Sequence, residues 1–218
     1  MKILAVEFST DQRSVAVLAE GVVRGEARET ATRDTHAIGL VEKALGQAGM
    51  EREEIEGLAI GLGPGSYTGI RSAIALAQGW QLARPVKLMG ISSVECLAAE
   101  AQAGEIFGTV NVVIDAQRKE LYLARYEITR DQCREIAALA LVAAEATGRT
   151  QTLANEIFVG PEATRWFDNG KILFPNAATL GRLASDRTDF TPGERLEPIY
   201  LRETTFVKAS PPRVLPKE

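Results

Sequence analysis

The sequence predicts an α/β fold of two duplicated lobes, each a mixed sheet flanked by helices. Two observations carry this. Short buried strands alternate with helical segments along the chain. One strand–turn–strand unit also occurs twice, as LAVEFSTDQRSVAVLAE and again as VNVVIDAQRKELYLARYE. Each copy runs from a buried strand with one acid near its end, through a polar turn containing Gln-Arg, into an alternating strand. Glu7 and Asp115 fall at equivalent places, with a one-residue gap in the turn.

The elements follow in order. Residues 2–8 read as a buried strand, residues 13–19 as a second, and Gly21 turns the chain into a third, more polar strand. This is an antiparallel meander by its hairpin spacing. A helix runs over residues 35–48, with Asp34 as N-cap and Gly49 as stop. Ile38, Val41, Leu45 and Ala48 form its apolar face, and Leu40 and Ala44 begin a second face that a simple surface helix does not need. Residues 58–62 are a short strand, GPGS a turn, and a helix follows to Ala83, ended by Pro85. Residues 86–91 are a strand. Ser92 and Glu95 have the spacing of a capping box for the helix that fades near Gly104.

The second lobe opens with strands over 111–115 and 121–127. Residues 133–155 fit strand or helix equally. Residues 158–160 and 172–174 read as short strands, and residues 177–187 as an amphipathic helix. The expected division is a first lobe over 1–105, a smaller second lobe over 106–206, and an extended tail over 207–218 containing three prolines. Paired lobes of this kind suit the actin, sugar-kinase and Hsp70-like (ASKHA) architecture, where such hairpins point at nucleotide phosphates and a metal-binding acid.

Composition narrows the function. The chain is 45% hydrophobic over 218 residues, enough for a real core. Its net charge of −4 argues against holding a nucleic-acid backbone unaided, since that takes a cluster of Lys and Arg. Cys96 and Cys133 have no metal or redox spacing and read as buried free thiols in a reducing compartment. No apolar run reaches the length of a membrane span or the form of a signal peptide, so a cytoplasmic protein is expected.

Gly61, Gly63 and Gly65 put a flexible backbone before a helix N-terminus, a place that attracts anions. The Walker A lysine is missing, and so is the third glycine of a dinucleotide loop. The plainer reading is a tight turn capped by Ser66. The helix that follows carries Gly69, Ser72, Ala73, Ala75, Ala77 and Gly79, with Ile70, Ile74 and Leu76 as its bulk. An interior Gly costs about 1 kcal/mol relative to Ala, which is tolerable where another backbone must come close. That other backbone belongs either to this chain or to a partner. His36 is the only histidine, so a multi-histidine metal site or HExxH motif is excluded. No G-x-S-x-G elbow is present for a serine hydrolase. Glu7, Ser9, Thr10 and Asp115 are the candidates for a phosphate-binding remnant. The only counterpart of an adenine loop, VGPEA, is incomplete, which disfavours a stand-alone ATP-dependent phosphotransferase.

Taken together, residues 4–10, 61–79, 90–98, 113–126 and 197–202 (LAVEFST, GLGPGSYTGIRSAIALAQG, GISSVECLA, VIDAQRKELYLARY and EPIYLR) resemble the TsaB (YeaZ) family in order and separation. The resemblance spans nearly the whole chain and is strongest over residues 1–127. It implies an actin-like fold and a scaffold without its own active site. Its expected partners are the catalytic TsaD, bound through first-lobe helices, and the ATPase TsaE. The product is N6-threonylcarbamoyladenosine beside the tRNA anticodon, with tRNA met only indirectly. No cofactor is required, and ATP or ADP is expected only at the heteromeric interface. A homodimer through the same surface is expected without TsaD. Matched to the pairing helices, the interface residues are Ala37, Leu40, Ala44, Ile70, Ala73, Ile74 and Ala77. Glu7 departs from the Asp common in this fold.

Overall fold

The computed structural model describes residues 1–30, 36–145 and 156–202. β1 (Lys2–Glu7), β2 (Gln12–Ala19) and β3 (Val22–Thr30) form the expected meander. β4 (Gly57–Gly61) joins β1 in parallel and β5 (Lys87–Ile91) joins β4 in parallel, giving the order β3-β2-β1-β4-β5. Leu4, Val6 and Phe8 point to one face of the sheet, and Ile3 and Ala5 to the other. Both faces of β1 are therefore apolar and both are covered, as parallel pairing by crossover helices requires.

α1 (Ala37–Ala48) and α2 (Tyr67–Ala83) share one face of this sheet. Gly25 on β3 lets α1 lie against it, since a Cβ there would fall 2.2 Å from the Ala44 carbonyl oxygen. α3 (Ser93–Ala103) follows β5.

The second sheet holds β6 (Gly108–Asp115), β7 (Glu120–Ile128), β8 (Cys133–Ala143), β9 (Ile157–Gly160) and β10 (Gly170–Ile172) in the order β10-β9-β6-β7-β8. From its other edge this is the first sheet again, with the same antiparallel and parallel pairings. The duplication is thus a property of the backbone, and the fold is the actin-like one. α4 (Ala163–Trp166) stands where the first lobe has α2, and α5 (Ala177–Ser185) where it has α3.

The terminal helices cross over. α5 packs Ala177, Leu180 and Ala184 against Ile3, Ala16 and Leu18 of the first sheet. α3 turns Leu97, Ala98 and Ala101 to Val110, Val112 and Ala124 of the second. The chain beyond α5 stays with the first lobe: Thr191 N–H donates to Leu88 O at 2.8 Å, and Ile199 N–H to Leu62 O at 2.9 Å. The sheets divide between α3 and β6, but the expected second lobe of 106–206 is corrected, because residues 177–199 pack on the first sheet.

Smaller corrections have local causes. α1 starts at Ala37 with His36 at the N-cap, and Asp34 lies outside the described residues, as does the tail over 207–218. Gly49 ends α1 in the left-handed region at φ 62°, as a stop should. Ser92 Oγ accepts Val94 N–H at 3.2 Å, but Glu95 pairs with Arg187 instead of closing the capping box. Residues 133–143 are strand, and Cys133 is exposed because β8 is the edge of its sheet among the described residues. No described helix is long and apolar enough to cross a membrane.

Candidate functional site

The glycine-rich turn is packed against the β1–β2 turn. Ser66 Oγ caps α2 by accepting Gly69 N–H at 3.2 Å, and Ser66 N–H donates to Ser9 O at 2.7 Å. A Cβ on Gly65 would fall 2.1 Å from Ser9 O, and one on Gly69 2.0 Å from Phe8 O. These glycines serve backbone-to-backbone approach within the chain. The tight-turn reading, with Ser66 as cap, matches these contacts.

Glu7 is fully buried at the end of β1. Its Oε1 accepts Ser9 N–H at 2.8 Å and its Oε2 accepts Ser93 Oγ–H at 2.9 Å. Gly61 makes room, since a Cβ there would fall 2.1 Å from Oε2. Burial raises the Glu7 carboxyl above the usual carboxylate range, and the hydrogen bonds from Ser9 and Ser93 work against that rise. Thr10 Oγ1 donates to Gln12 O at 3.0 Å and so serves the turn itself. Ser9 and Thr10 are buried with Glu7.

Asp115 closes β6 in the second lobe. Its Oδ1 accepts Gln117 N–H at 2.7 Å and its Oδ2 takes Arg165 Nη1 at 3.0 Å. Glu162 lies beside it: burial raises the Glu162 carboxyl, and the charges of Asp115 and of Asp11 on the first-lobe turn add to the rise. The charge of a residue on each hairpin, Asp11 and Asp115, thus reaches Glu162. Glu7 is occupied by Ser9 and Ser93, and Asp115 by an arginine. The residues present do not fit a nucleotide phosphate with its metal. His36 is exposed, and among the described residues no group of three or more His, Cys, Asp or Glu could hold a metal ion. Sequence reasoning missed Ser93, Glu162 and Arg165, because their roles come from neighbours 86, 47 and 50 residues away.

The helix surface is corrected residue by residue. Leu40, Ala44, Ile70, Ala73, Ile74 and Ala77 are all buried in this chain's own core, against Val15, Val17 and Leu58. Ala37 is partly buried beside them. The small residues of α2 run around the helix, and half of them face inward. The outward faces are different sets. On α1 they are Ile38, which is 64% exposed, with Glu42, Lys43 and Gly46. On α2 they are Tyr67, Arg71, Ala75, Gly79 and Leu82, the last 90% exposed. A Cβ on Gly46 or Gly79 would meet nothing within 4 Å, so neither glycine is explained by packing inside the chain. At the start of α2, Tyr67 stacks on Tyr200 at 5.8 Å, and Arg71 lies over Tyr67 at 4.1 Å.

Comparison with known proteins agrees with this architecture. The family described as TsaD, tRNA N6-adenosine threonylcarbamoyltransferase, matches residues 7–190. The chain is 31% identical over 232 residues to the tRNA threonylcarbamoyladenosine biosynthesis protein TsaB of Escherichia coli, covering 97% of this chain and 99% of that one. It is 30% identical over 240 residues to the protein of the same name from Haemophilus influenzae, covering 98% of each. The solved structure of YeaZ from Pseudomonas aeruginosa superposes with a TM-score of 0.78 at 26% identity, covering 92% of this chain and 99% of that one. The chain belongs to the TsaB (YeaZ) family, within the wider family of TsaD.

Proposed function

We propose that this chain is the non-catalytic scaffold subunit of the assembly that forms N6-threonylcarbamoyladenosine in the tRNA anticodon loop. It acts in the cytoplasm and binds the catalytic TsaD subunit through the outward faces of α1 and α2. TsaE joins the assembly as its ATPase, tRNA is met through the other subunits, and any ATP or ADP sits at the heteromeric interface. The carrying observation is the pair of solvent-facing glycines, Gly46 and Gly79. Each costs its helix about 1 kcal/mol relative to Ala, and neither is needed for packing inside the chain. Side-chain-free positions on adjacent helices suit close approach by other helices. The names of the relatives support the pathway, and the occupied states of Glu7 and Asp115 support the lack of an active site of its own.

The test separates surface from core. Ala75→Arg and Gly79→Glu should abolish co-purification with TsaD, while circular dichroism and melting stay close to the parent. Ala73→Arg should unfold the chain, because Ala73 is buried. Undiminished TsaD binding by both surface variants would remove the reading. Without TsaD the same face pairs two copies of the chain, and Gly79→Glu should then sediment as a monomer. ATP turnover by the purified chain, lost in Asp115→Ala, would replace the scaffold with an independent phosphotransferase.

A further inference from the structure

We infer that the α1/α2 side of the first sheet holds a binding site for a phosphate group that still carries one proton, built on Arg13 and Glu29. The topology brings its parts together. β2 starts where β3 ends, with Gln12 opposite Thr30, and α1 begins at that end. α2 begins there too, because β4 runs parallel to β1 and ends beside it, with Val6 opposite Ile60. Neither helix has an acid in its first turn, and the His36 side chain makes no capping bond to α1. Ser66 Oγ caps the start of α2, and among the described residues no acid offsets the positive end of either helix.

Arg13 lies on this face with Val15 and Val17, opposite to the side on which Ser14 bonds α5. It is only 7% exposed, and its Nε and Nη1 are buried with no hydrogen-bond partner. Its guanidinium stands 5.9 Å from the ring of Phe8, whose carbonyl abuts Gly69 in the first turn of α2. Buried unpaired donors on a cation are expensive unless acceptors meet them. Glu29 is directly opposite on β3, and its Oε1 is likewise buried without a partner. Glu29 also lines a cavity of about 610 Å³ with His36, the first turn of α1 and Lys43.

An occupant must offer acceptors to Arg13 and a donor to Glu29. A phosphate monoanion or a singly protonated monoester does both: its P–O⁻ groups accept from the guanidinium, and its P–O–H donates to the carboxylate. Sulfate at neutral pH has no proton to give. A phosphodiester has none either, which excludes a nucleic-acid backbone.

The test uses the full chain at matched ionic strength, by melting and calorimetry, with inorganic phosphate, glycerol 3-phosphate and sulfate as probes. Phosphate should raise the melting temperature and bind about tenfold more tightly than sulfate, the worth of one charge-assisted hydrogen bond. Binding of glycerol 3-phosphate as tight as that of phosphate assigns the site to a larger phosphomonoester, and weaker binding assigns it to the free ion. Arg13→Leu should lose the phosphate response and, without phosphate, melt no lower than the parent. Glu29→Gln should admit sulfate and bring the ratio near one. Equal shifts by phosphate and sulfate in the parent would overturn the site. So would a phosphate response that survives Arg13→Leu, or strong Arg13–Glu29 coupling in a double-mutant cycle with no phosphate response, which would mean that the two simply pair with each other.

Discussion

Glu7 closes β1 and Asp115 closes β6, the same place in two copies of one sheet, yet the copies have treated their acids differently. In the first lobe the acid is sealed, held by Ser9 and Ser93 and roofed by a residue that has no side chain, Gly61. In the second it is also nearly buried, but under Arg165, which is itself two-thirds exposed. The helix after the fourth strand differs in step: α2 has 17 residues and α4 has four. The first lobe kept the long helix and built its turn tightly against the first hairpin, which fixes the orientation of the α2 surface. The second lobe has little helix to orient and leaves its acid to an ion pair.

The largest test of this contrast is steric. Gly61→Ala should lose about 3 kcal/mol in urea unfolding, because its Cβ meets the Glu7 carboxylate in a site that cannot relax. Adding Glu7→Ala should recover part of that loss. Gly160→Ala, at the equivalent position, collides with the backbone of Val113, so Asp115→Ala should recover nothing. The second test is electrostatic. Because burial raises the Glu7 carboxyl, the folded chain holds a proton that the unfolded chain has already released. Its contribution to stability therefore falls as pH rises from the ordinary carboxylate range through the folded value. Glu7→Gln should remove that slope and stabilise the chain at pH 7 by about 1–2 kcal/mol. The smallest effect is at Asp115: Arg165→Ala should cost about 1 kcal/mol, since the arginine is mostly in water while the carboxylate it covers is not.

The strands and their duplication were legible because hairpin turns and period-two burial are local signals. The helix faces were not. α2 carries small residues on every side, so apolar periodicity cannot choose between Ala73 and Ala77, which are buried, and Ala75 and Gly79, which are not. The face of α1 was misjudged through Ile38, a large apolar residue that the fold leaves in solvent. β8 escaped because CREIAALALVA mixes helix-favouring alanines with an edge position that imposes no alternation of burial. The lobe boundary failed for a different reason. Which sheet covers α5 is decided by shape at long range, and nothing within its nine residues encodes it.

The exchange of α3 and α5 between the sheets bears on how the chain comes apart. A break after residue 105 would leave the first fragment with Ile3, Ala16 and Leu18 facing water, because their cover arrives some 160 residues later. The second fragment would lose α3 from Val110 and Val112 in the same stroke. Each lobe is clasped by a helix belonging in sequence to the other, like two hands each holding the opposite wrist. Separating them would uncover an apolar face on each, and opening one exposes the other.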